Sequence, residues 1–420
     1  MAAVKIAKYI LTDVGNNNNK FWTIIEEDDG NVTTHWGRVG EDGQKQCVRR
    51  PPGFFEQKCR EKEKKGYTIL NVIDNGGVSV KTVQHGELAS IAAKQIRTNS
   101  SEVDKLVRRL AEVNVHNILH STKMTYDTDS GLFQTPLGII TTENITDARK
   151  LLEDISKVVV ARDWGRENFN KTVSDYMRLV PMDIGRRRVE LRDIFSDIED
   201  VRKQNDILDS LETSLAMVKV KPMDDTQQEI EQIFDVRLEI VENPKIIDHV
   251  KKRFVDSLNS RHLSSSLRVK RVFEVDIRTV REAFEAKGRP VGNVQELWHG
   301  TKIANVLSIL KQGLIIPPSN ASYCTGRMFG NGIYSSDQST KALNYASGGT
   351  WGGRFTNNCF MFLMDVAMGK PYTPSGYNEH LPKPGYDSTF AEARRSGVSN
   401  NEMIVYKTYQ ADLKYLVEFE

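Results

Sequence analysis

His299 in "QELWHGTK", Tyr334 in "MFGNGIYSSD", Tyr345 in "STKALNY" and Glu402 in "NEMIVY" bring an imidazole, two phenols and a carboxylate to the last third of the chain. No metal-ligand cluster and no Ser-His-Asp or Cys-His grouping accompanies them. The set therefore suits a reaction that needs ring stacking and a carboxylate more than one that needs a nucleophile. "GNGIYS" has Gly330 and Gly332 but Ser335 where a dinucleotide fingerprint requires Gly, and no GxxxxGK[ST] occurs, which disfavours Rossmann and P-loop sites. His116 and His120, four apart, could share a helix face as metal ligands. No carboxylate or Cys at helical spacing completes such a site, so a packed or surface pair and no bound metal are expected. At His299 the local pattern also allows a plain turn, with Gly300 ending a strand and Thr301 opening a helix along Ile303, Val306, Leu307 and Leu310.

Periodicity indicates the elements that must position these residues. The chain has 420 residues, 39% of them hydrophobic, which gives room for about three packed domains. Its charged residues, 27% of the total, nearly cancel at +2, so any basic footprint has to be local. Residues 1–80 alternate in the manner of strands joined by Asp-Gly and Gly-rich hairpins, with a helix over "FFEQKCREKEKKG". Between 49 and 65 this segment carries seven basic and three acidic residues; a solvated helix face and a phosphate-binding surface both fit. From 86 to 218 the period becomes helical, with one stripe of Val103, Leu106, Val107, Leu110 and Val113, a second of Ile145, Ala148, Leu151, Leu152, Ile155 and Val159, and a third of Val201, Leu208, Leu211, Leu215 and Val218. Pro181 stops a helix around "TVSDYMRLV". "DWGR" at 163–166 reads as a chance repeat of Trp36, Gly37 and Arg38. Residues 220–228 read as a linker, and 228–420 alternate short helices with strands, "CFMFLMDVAM" being suited to a buried one. The expected class is an α+β multidomain protein. Cys47, Cys59, Cys324 and Cys359 show neither CxxC pairing nor zinc spacing, and no run is long enough to span a bilayer. A soluble chain in a reducing, intracellular setting is expected.

"LWHGT", "TGRMFGNGIYSSDQSTKALNY" and "NEMIVYKTYQADLKYLVEFE" resemble, in order and spacing, the catalytic domain of the poly(ADP-ribose) polymerases. "FWTIIEEDDGNVTTHWGRVGEDGQ" is similar to the WGR domain of the DNA-dependent members, and "TPLGIIT", "YMRLVPMDIG" and "DILDSLETSLAMV" to their helical regulatory domain. The resemblance implies a small β-rich WGR domain, an all-α regulatory domain and a split β-sheet ADP-ribosyltransferase domain. It also implies loss of nicotinamide from NAD+, the substrate, and transfer of ADP-ribose to protein acceptors, the chain itself included, in response to DNA strand breaks or ends. Such bonds break through an oxocarbenium-like state. By the same match Tyr345 stacks on the nicotinamide ring, Tyr334 forms the opposite wall, and the backbone of Gly300 grips the carboxamide. His299 bonds the adenine-side ribose. Glu402 is the catalytic carboxylate, holding the other ribose and stabilising positive charge. Lys341 matches a lysine near the pocket, although a solvated lysine also fits. Trp36 matches a residue packed on the DNA end and Arg38 one that links this domain to its neighbours and to DNA; Arg49 and Arg50 would add phosphate contacts. A structural Trp36 is the alternative.

Two positions depart from the family pattern. Ala342 stands where a serine normally bonds the carboxamide, and Ile315 or Ile316 where an arginine often contacts the adenosine, so weaker NAD+ binding is expected. The implied location is nuclear in a eukaryote and cytoplasmic or nucleoid-associated in a bacterium, with no membrane partner. The same residues also fit a toxin-type enzyme that transfers a single ADP-ribose, and a non-enzymatic scaffold that binds DNA ends.

Overall fold

Apolar and polar residues alternate along "KIAKYILTD" and "FWTIIEE", and these runs form the long strands β1 (Ala3–Asp13) and β2 (Asn18–Glu27). The two pair as an antiparallel hairpin in the computed structural model. It describes residues 3–69, 88–96, 98, 100–127, 131–135, 138–184, 190–218, 232–316, 328–347, 358–376 and 380–420. The linker expected at 220–228 and Cys324 lie outside these residues. β3 (Asn31–Arg38) and β4 (Gln44–Arg49) extend the sheet, helix α1 (Phe54–Lys64) follows, and β5 (Thr68–Ile69) closes the order β4-β3-β2-β1-β5. α1 buries Phe55 and Cys59 against Tyr9, Trp22 and Ile24. Full burial of one large apolar side chain contributes roughly 1.5–3 kcal/mol, so this face rather than the lysine-rich one holds the helix on the sheet.

The helical period between 86 and 218 takes shape as α2 (Leu88–Gln95), α3 (Ser101–Ser121), α4 (Thr142–Ala161), α5 (Phe169–Leu179), α6 (Leu191–Ile194) and α7 (Ile198–Met217). The predicted stripes largely face inward: Ile145, Ala148, Leu152 and Ile155 of α4 and Val201, Leu208 and Leu211 of α7 are buried, while Val113, Leu151 and Leu215 at the stripe margins are half-buried. A reciprocal cap between Thr141 and Asn144 starts α4, and α5 ends two residues short of Pro181. Arg149 of α4 ties the bundle together, donating to Asn205 (2.8 Å), Asp209 (2.6 Å) and Glu212 (2.8 Å) of α7. This region is not purely helical. β6 (Thr125–Asp127), β7 (Leu132–Thr135) and β8 (Gly138–Ile139) form a three-stranded sheet whose strands are too short to show a period of two. "DWGR" at 163–166 lies in turns before α5, with Trp164 Nε1 donating to the Phe195 carbonyl at 2.9 Å.

The remaining elements are β9 (Val236–Ile240), α8 (Pro244–Asp256), β10 (Val269–Ile277), α9 (Arg278–Ala283), β11 (Val294–Thr301) and α10 (Val306–Gln312). After them come β12 (Ile333–Ser335), α11 (Ser339–Ser347), β13 (Cys359–Ala367), β14 (Pro371–Tyr372), β15 (Ser388–Ala391), β16 (Glu402–Val405) and β17 (Ala411–Phe419). They build a five-stranded sheet, β11-β13-β17-β10-β9, and a four-stranded one, β12-β16-β15-β14. β13 has a strand on each side and is buried almost throughout, as its unbroken apolar run requires. β11 runs through Thr301, so Gly300 is not a strand-ending turn, and a single 3-10 turn at Ile303–Asn305 precedes α10.

By their packing the residues fall into two compact units, Met1–Glu87 with Val115–Gln228, and Leu88–Asn114 with Glu229–Glu420. In the first, Asn170 of α5 accepts from Gly15 N–H (2.8 Å) and donates to Asp13 (2.9 Å), fastening the β1–β2 turn. In the second, the buried Glu418 of β17 accepts from Arg109 of α3 (3.2 Å) and Arg271 of β10 (2.6 Å). Among the described residues no group of three or more His, Cys, Asp or Glu side chains could hold a metal ion. No described helix is long and apolar enough to cross a membrane.

Gly37 of β3 has no room for a side chain: a Cβ would stand 2.7 Å from Gly43 Cα and 3.1 Å from the Phe21 ring. Overpacking of this kind costs about 1–3 kcal/mol. Gly37→Ala should therefore lower the melting temperature of the N-terminal sheet, followed by its tryptophan fluorescence; an unchanged melt would show that the β3–β4 connection at Gly43 can move away from β3 freely.

Candidate active site

β11 is an edge strand of the large sheet. One side pairs with β13, and on the other Trp298 exchanges two backbone hydrogen bonds with Ser336, at 2.9 and 3.0 Å. Along an antiparallel strand every second residue directs its N–H and C=O to the same edge. Gly300 therefore turns both groups to the Trp298 side, away from β13. They face a cavity of about 120 Å³ that His299, Tyr334, Lys341, Tyr345 and Glu402 also line. α11 passes directly over this point: a Cβ on Gly300 would lie 1.7 Å from the Ala342 carbonyl oxygen. Glycine is needed here for close approach, not for a turn. α11 is held from its far side by Ser339 Oγ donating to the Phe254 carbonyl (2.7 Å), Asn259 N–H donating to Thr340 Oγ1 (2.9 Å) and Ser264 Oγ donating to Asn344 (2.7 Å).

Lys341 and Tyr345, one turn apart on α11, project together. Lys341 Nζ lies 2.7 Å from Glu402 Oε1, donates to Tyr345 Oη at 3.0 Å, and sits 4.8 Å from the Tyr345 ring centre. Burial disfavours the lysine charge, but Glu402 and Tyr345 outweigh it and raise its pKa above the ordinary value. Glu402, on β16, is only 8% exposed. Tyr334 is fixed through its hydroxyl, which donates to the Gly330 carbonyl (2.9 Å) and accepts from Phe329 N–H (3.0 Å). His299 Nδ1 lies 2.8 Å from the Tyr334 carbonyl, which can only accept, so the proton sits on Nδ1 and neutral Nε2 is an acceptor. Burial lowers the pKa of His299, and the Tyr334 carbonyl opposes this only in part. Ala342 is buried, is among the residues that line the cavity and has no hydroxyl to offer, and Ile315 is 50% exposed. Trp298 and Ser336, which bridge the two sheets, were not identified from the sequence because neither carries a chemical signal of its own.

In the N-terminal sheet the register sets Trp22 opposite Trp36 and Lys20 opposite Arg38. Directly opposed residues share a face, as do residues two apart, so all four lie on the face that α1 covers: Trp22 is buried in the core there, while Trp36 and Arg38 are half-buried and Lys20 is exposed. Lys62 of α1 lies 4.9 Å from the Trp22 ring, with its pKa lowered by burial and by Lys65 and Lys58. Arg38 also donates to Asn17 Oδ1 at 2.7 Å. Arg49 and Arg50 are exposed, Arg50 lying 4.9 Å over the Phe54 ring. Lys20 and Lys62 were missed in the sequence because only strand register and helix packing bring them beside Trp22.

A neutral His299 predicts a pH dependence. A group with a lowered pKa becomes charged only below its ordinary value near 6.5, so a ligand hydroxyl bonded to Nε2 keeps its acceptor through that pH. NAD+ affinity, followed by calorimetry, should stay level from pH 8 to 6.5 and weaken only below; weakening centred above 6.5, or unchanged by His299→Ala, would contradict this assignment.

Comparison with known proteins matches residues 8–71 to the WGR domain, 100–235 to the poly(ADP-ribose) polymerase regulatory domain and 247–420 to the poly(ADP-ribose) polymerase catalytic domain. The chain is 24% identical to the human protein mono-ADP-ribosyltransferase PARP3, over 97% of this chain and 86% of that protein. It is 24% identical to human poly [ADP-ribose] polymerase 2, over 97% of this chain and 78% of the relative. With poly [ADP-ribose] polymerase 2-A of Oryza sativa subsp. japonica it shares 26% identity over 86% of this chain and 56% of the relative. The three matched domains occur in one order along nearly the whole chain, and the catalytic match contains the cavity between β11, α11 and β16. The chain belongs to the poly(ADP-ribose) polymerase family and is an ADP-ribosyltransferase that uses NAD+ as its substrate.

Proposed function

We propose that the chain is a DNA-break-dependent poly(ADP-ribose) polymerase that modifies protein acceptors, itself included, in a DNA damage response. The observation that carries the catalytic part is the buried Glu402 carboxylate, paired with Lys341 at 2.7 Å beside the edge of Gly300 and the ring of Tyr345. The nicotinamide ring stacks on Tyr345 opposite Tyr334, and the Gly300 N–H and C=O bond its carboxamide, one as donor and one as acceptor. His299 Nε2 accepts from a hydroxyl of the adenine-side ribose. Lys341 engages Glu402 Oε1, and the other carboxylate oxygen accepts from the 2′-hydroxyl of the nicotinamide-side ribose. As the C–N bond to nicotinamide breaks, positive charge grows on the ribose, and a carboxylate fixed before the reaction stabilises it without reorganising. During elongation the same oxygen accepts the proton of the attacking hydroxyl. The methyl of Ala342 offers the carboxamide no donor, which supports modest NAD+ affinity.

DNA dependence is supported by the half-buried Trp36 with Arg38 and the opposed Lys20, since an aromatic ring with neighbouring cations suits the bases and phosphates of a DNA end. Arg49, opposite Asn31 at the other end of β3 from Arg38, and Arg50 over Phe54 are further exposed cations of this domain.

Incubation with radiolabelled NAD+ and a panel of DNA ends, followed by sizing of the product, tests the whole proposal. Glu402→Gln should reduce transfer by about 10²-fold or more, because an amide cannot match a carboxylate facing positive charge, while NAD+ affinity changes little. Near-normal polymer from that variant would refute the assignment of Glu402. Trp36→Ala should remove stimulation by nicked DNA, and retained stimulation would make Trp36 a packing residue only. A product of single ADP-ribose units would replace the polymerase reading with mono-ADP-ribosylation.

A further inference from the structure

Two consecutive serines outside the proposed catalytic set hold the backbone on both sides of Glu402. Ser335 Oγ donates to the Met403 carbonyl at 3.0 Å, and Ser336 Oγ donates to the Asn401 carbonyl at 2.9 Å. Both serines are buried, at 7% and 3% exposure, so water does not compete for these bonds. Ser336 has two further links. Its hydroxyl accepts from Gln338 N–H at 3.1 Å, just before α11, and its backbone exchanges two hydrogen bonds with Trp298, the residue before His299. One side chain thus touches the segment that carries Glu402 and the entry to the helix that carries Lys341 and Tyr345. Its own backbone is paired with the strand that carries His299 and Gly300. Asn401 is fixed in turn, donating to Asp337 Oδ2 and accepting from Ala393 N–H, both at 2.9 Å. The carbonyl that Ser336 grips therefore belongs to a residue with little freedom to shift.

We infer that Ser336, assisted by Ser335, is a positioning residue that sets the location of the Glu402 carboxylate relative to the cavity. The inference rests on Glu402 being the catalytic carboxylate. Without the hydroxyl of Ser336, the Asn401 carbonyl and the Gln338 N–H both lose a buried partner, and the residue before Glu402 loses its side-chain link to the β11 bridge, while the β12–β16 ladder stays. The expected consequence falls on the chemical step, because the groups that would grip nicotinamide lie on β11 and on α11, which keeps its bonds at Ser339, Thr340 and Asn344 to the 254–264 segment.

The test is a double-mutant cycle on DNA-stimulated NAD+ turnover by the full chain, with benzamide affinity measured by calorimetry. Ser336→Ala should lower kcat by about 10-fold, the order expected for one or two lost hydrogen bonds, with KM and benzamide affinity within about 2-fold. In a Glu402→Gln background the same substitution should cause little further loss, since a residue that acts only through Glu402 has nothing left to position. An unchanged kcat, an equal loss of benzamide affinity, or a full 10-fold loss in the Glu402→Gln background would each overturn the inference. Normal activity of Glu402→Gln alone would instead remove the catalytic assignment, so the two failures are distinguishable. If Ser336→Ala does not fold, Ser335→Ala supplies the same cycle from the Met403 side, with a selective kcat loss supporting the inference and its absence refuting it.

Discussion

The approach of α11 to Gly300 is the constraint on which the rest of the cavity depends. The Ala342 carbonyl occupies the space of a side chain at 300, so the helix lies nearer to the strand than any other residue there would permit. Two consequences follow. The outer edge of β11 is kept for a ligand rather than buried under a side chain, and Lys341 and Tyr345 are carried over the cavity instead of beside it. The polar bonds from Ser339, Thr340 and Asn344 to the 254–264 segment hold the helix in this position, where apolar packing alone would let it slide.

Charge within the cavity is arranged with similar economy. The cation of Lys341 and the anion of Glu402 meet directly, so neither is buried unpaired, a condition that would be costly in a dry site. His299 is kept neutral by burial and turned by the Tyr334 carbonyl so that Nε2 is an acceptor. The site therefore contains acceptors for ribose hydroxyls at two places and an exposed aromatic face between them. That combination suits a ligand with sugar hydroxyls and a cationic ring.

In the N-terminal sheet, function is proposed for a surface rather than a cavity. Cross-strand register brings Lys20, Trp36 and Arg38 together beside the buried Trp22, over whose ring Lys62 of α1 lies. Several basic residues of the 49–65 run are otherwise engaged: Lys58 pairs with Glu61, and Arg50 lies over Phe54. The charge count of that run therefore overstates what it offers a phosphate. The surroundings of Trp36 with Lys20 and Arg38, which no composition reveals, are the better candidate surface.

Much of this organisation was legible in the linear sequence because it rests on local regularities. The stripes of Ile145, Ala148, Leu152 and Ile155 or of Val201, Leu208 and Leu211 specify helices, since their spacing repeats once per turn. The unbroken run of β13 specifies a strand covered on both faces. The order of "WGR", "LWHGT", "STKALNY" and "NEMIVY" identified the family. Tertiary structure alone decided what depends on residues distant in sequence. It made Gly300 a contact point rather than a turn, and sent β16 and β17, adjacent in the chain, into different sheets. It also placed Ser336 where two strands and a helix meet. Periodicity reports which face of an element is apolar but not which element will cover it, and hydrogen bonds between distant segments leave no spacing to detect. The residue types of the candidate site could thus be named from the chain, whereas the carboxylate–lysine pair, the neutral imidazole and the serines flanking Glu402 follow only from the way the two sheets close around α11.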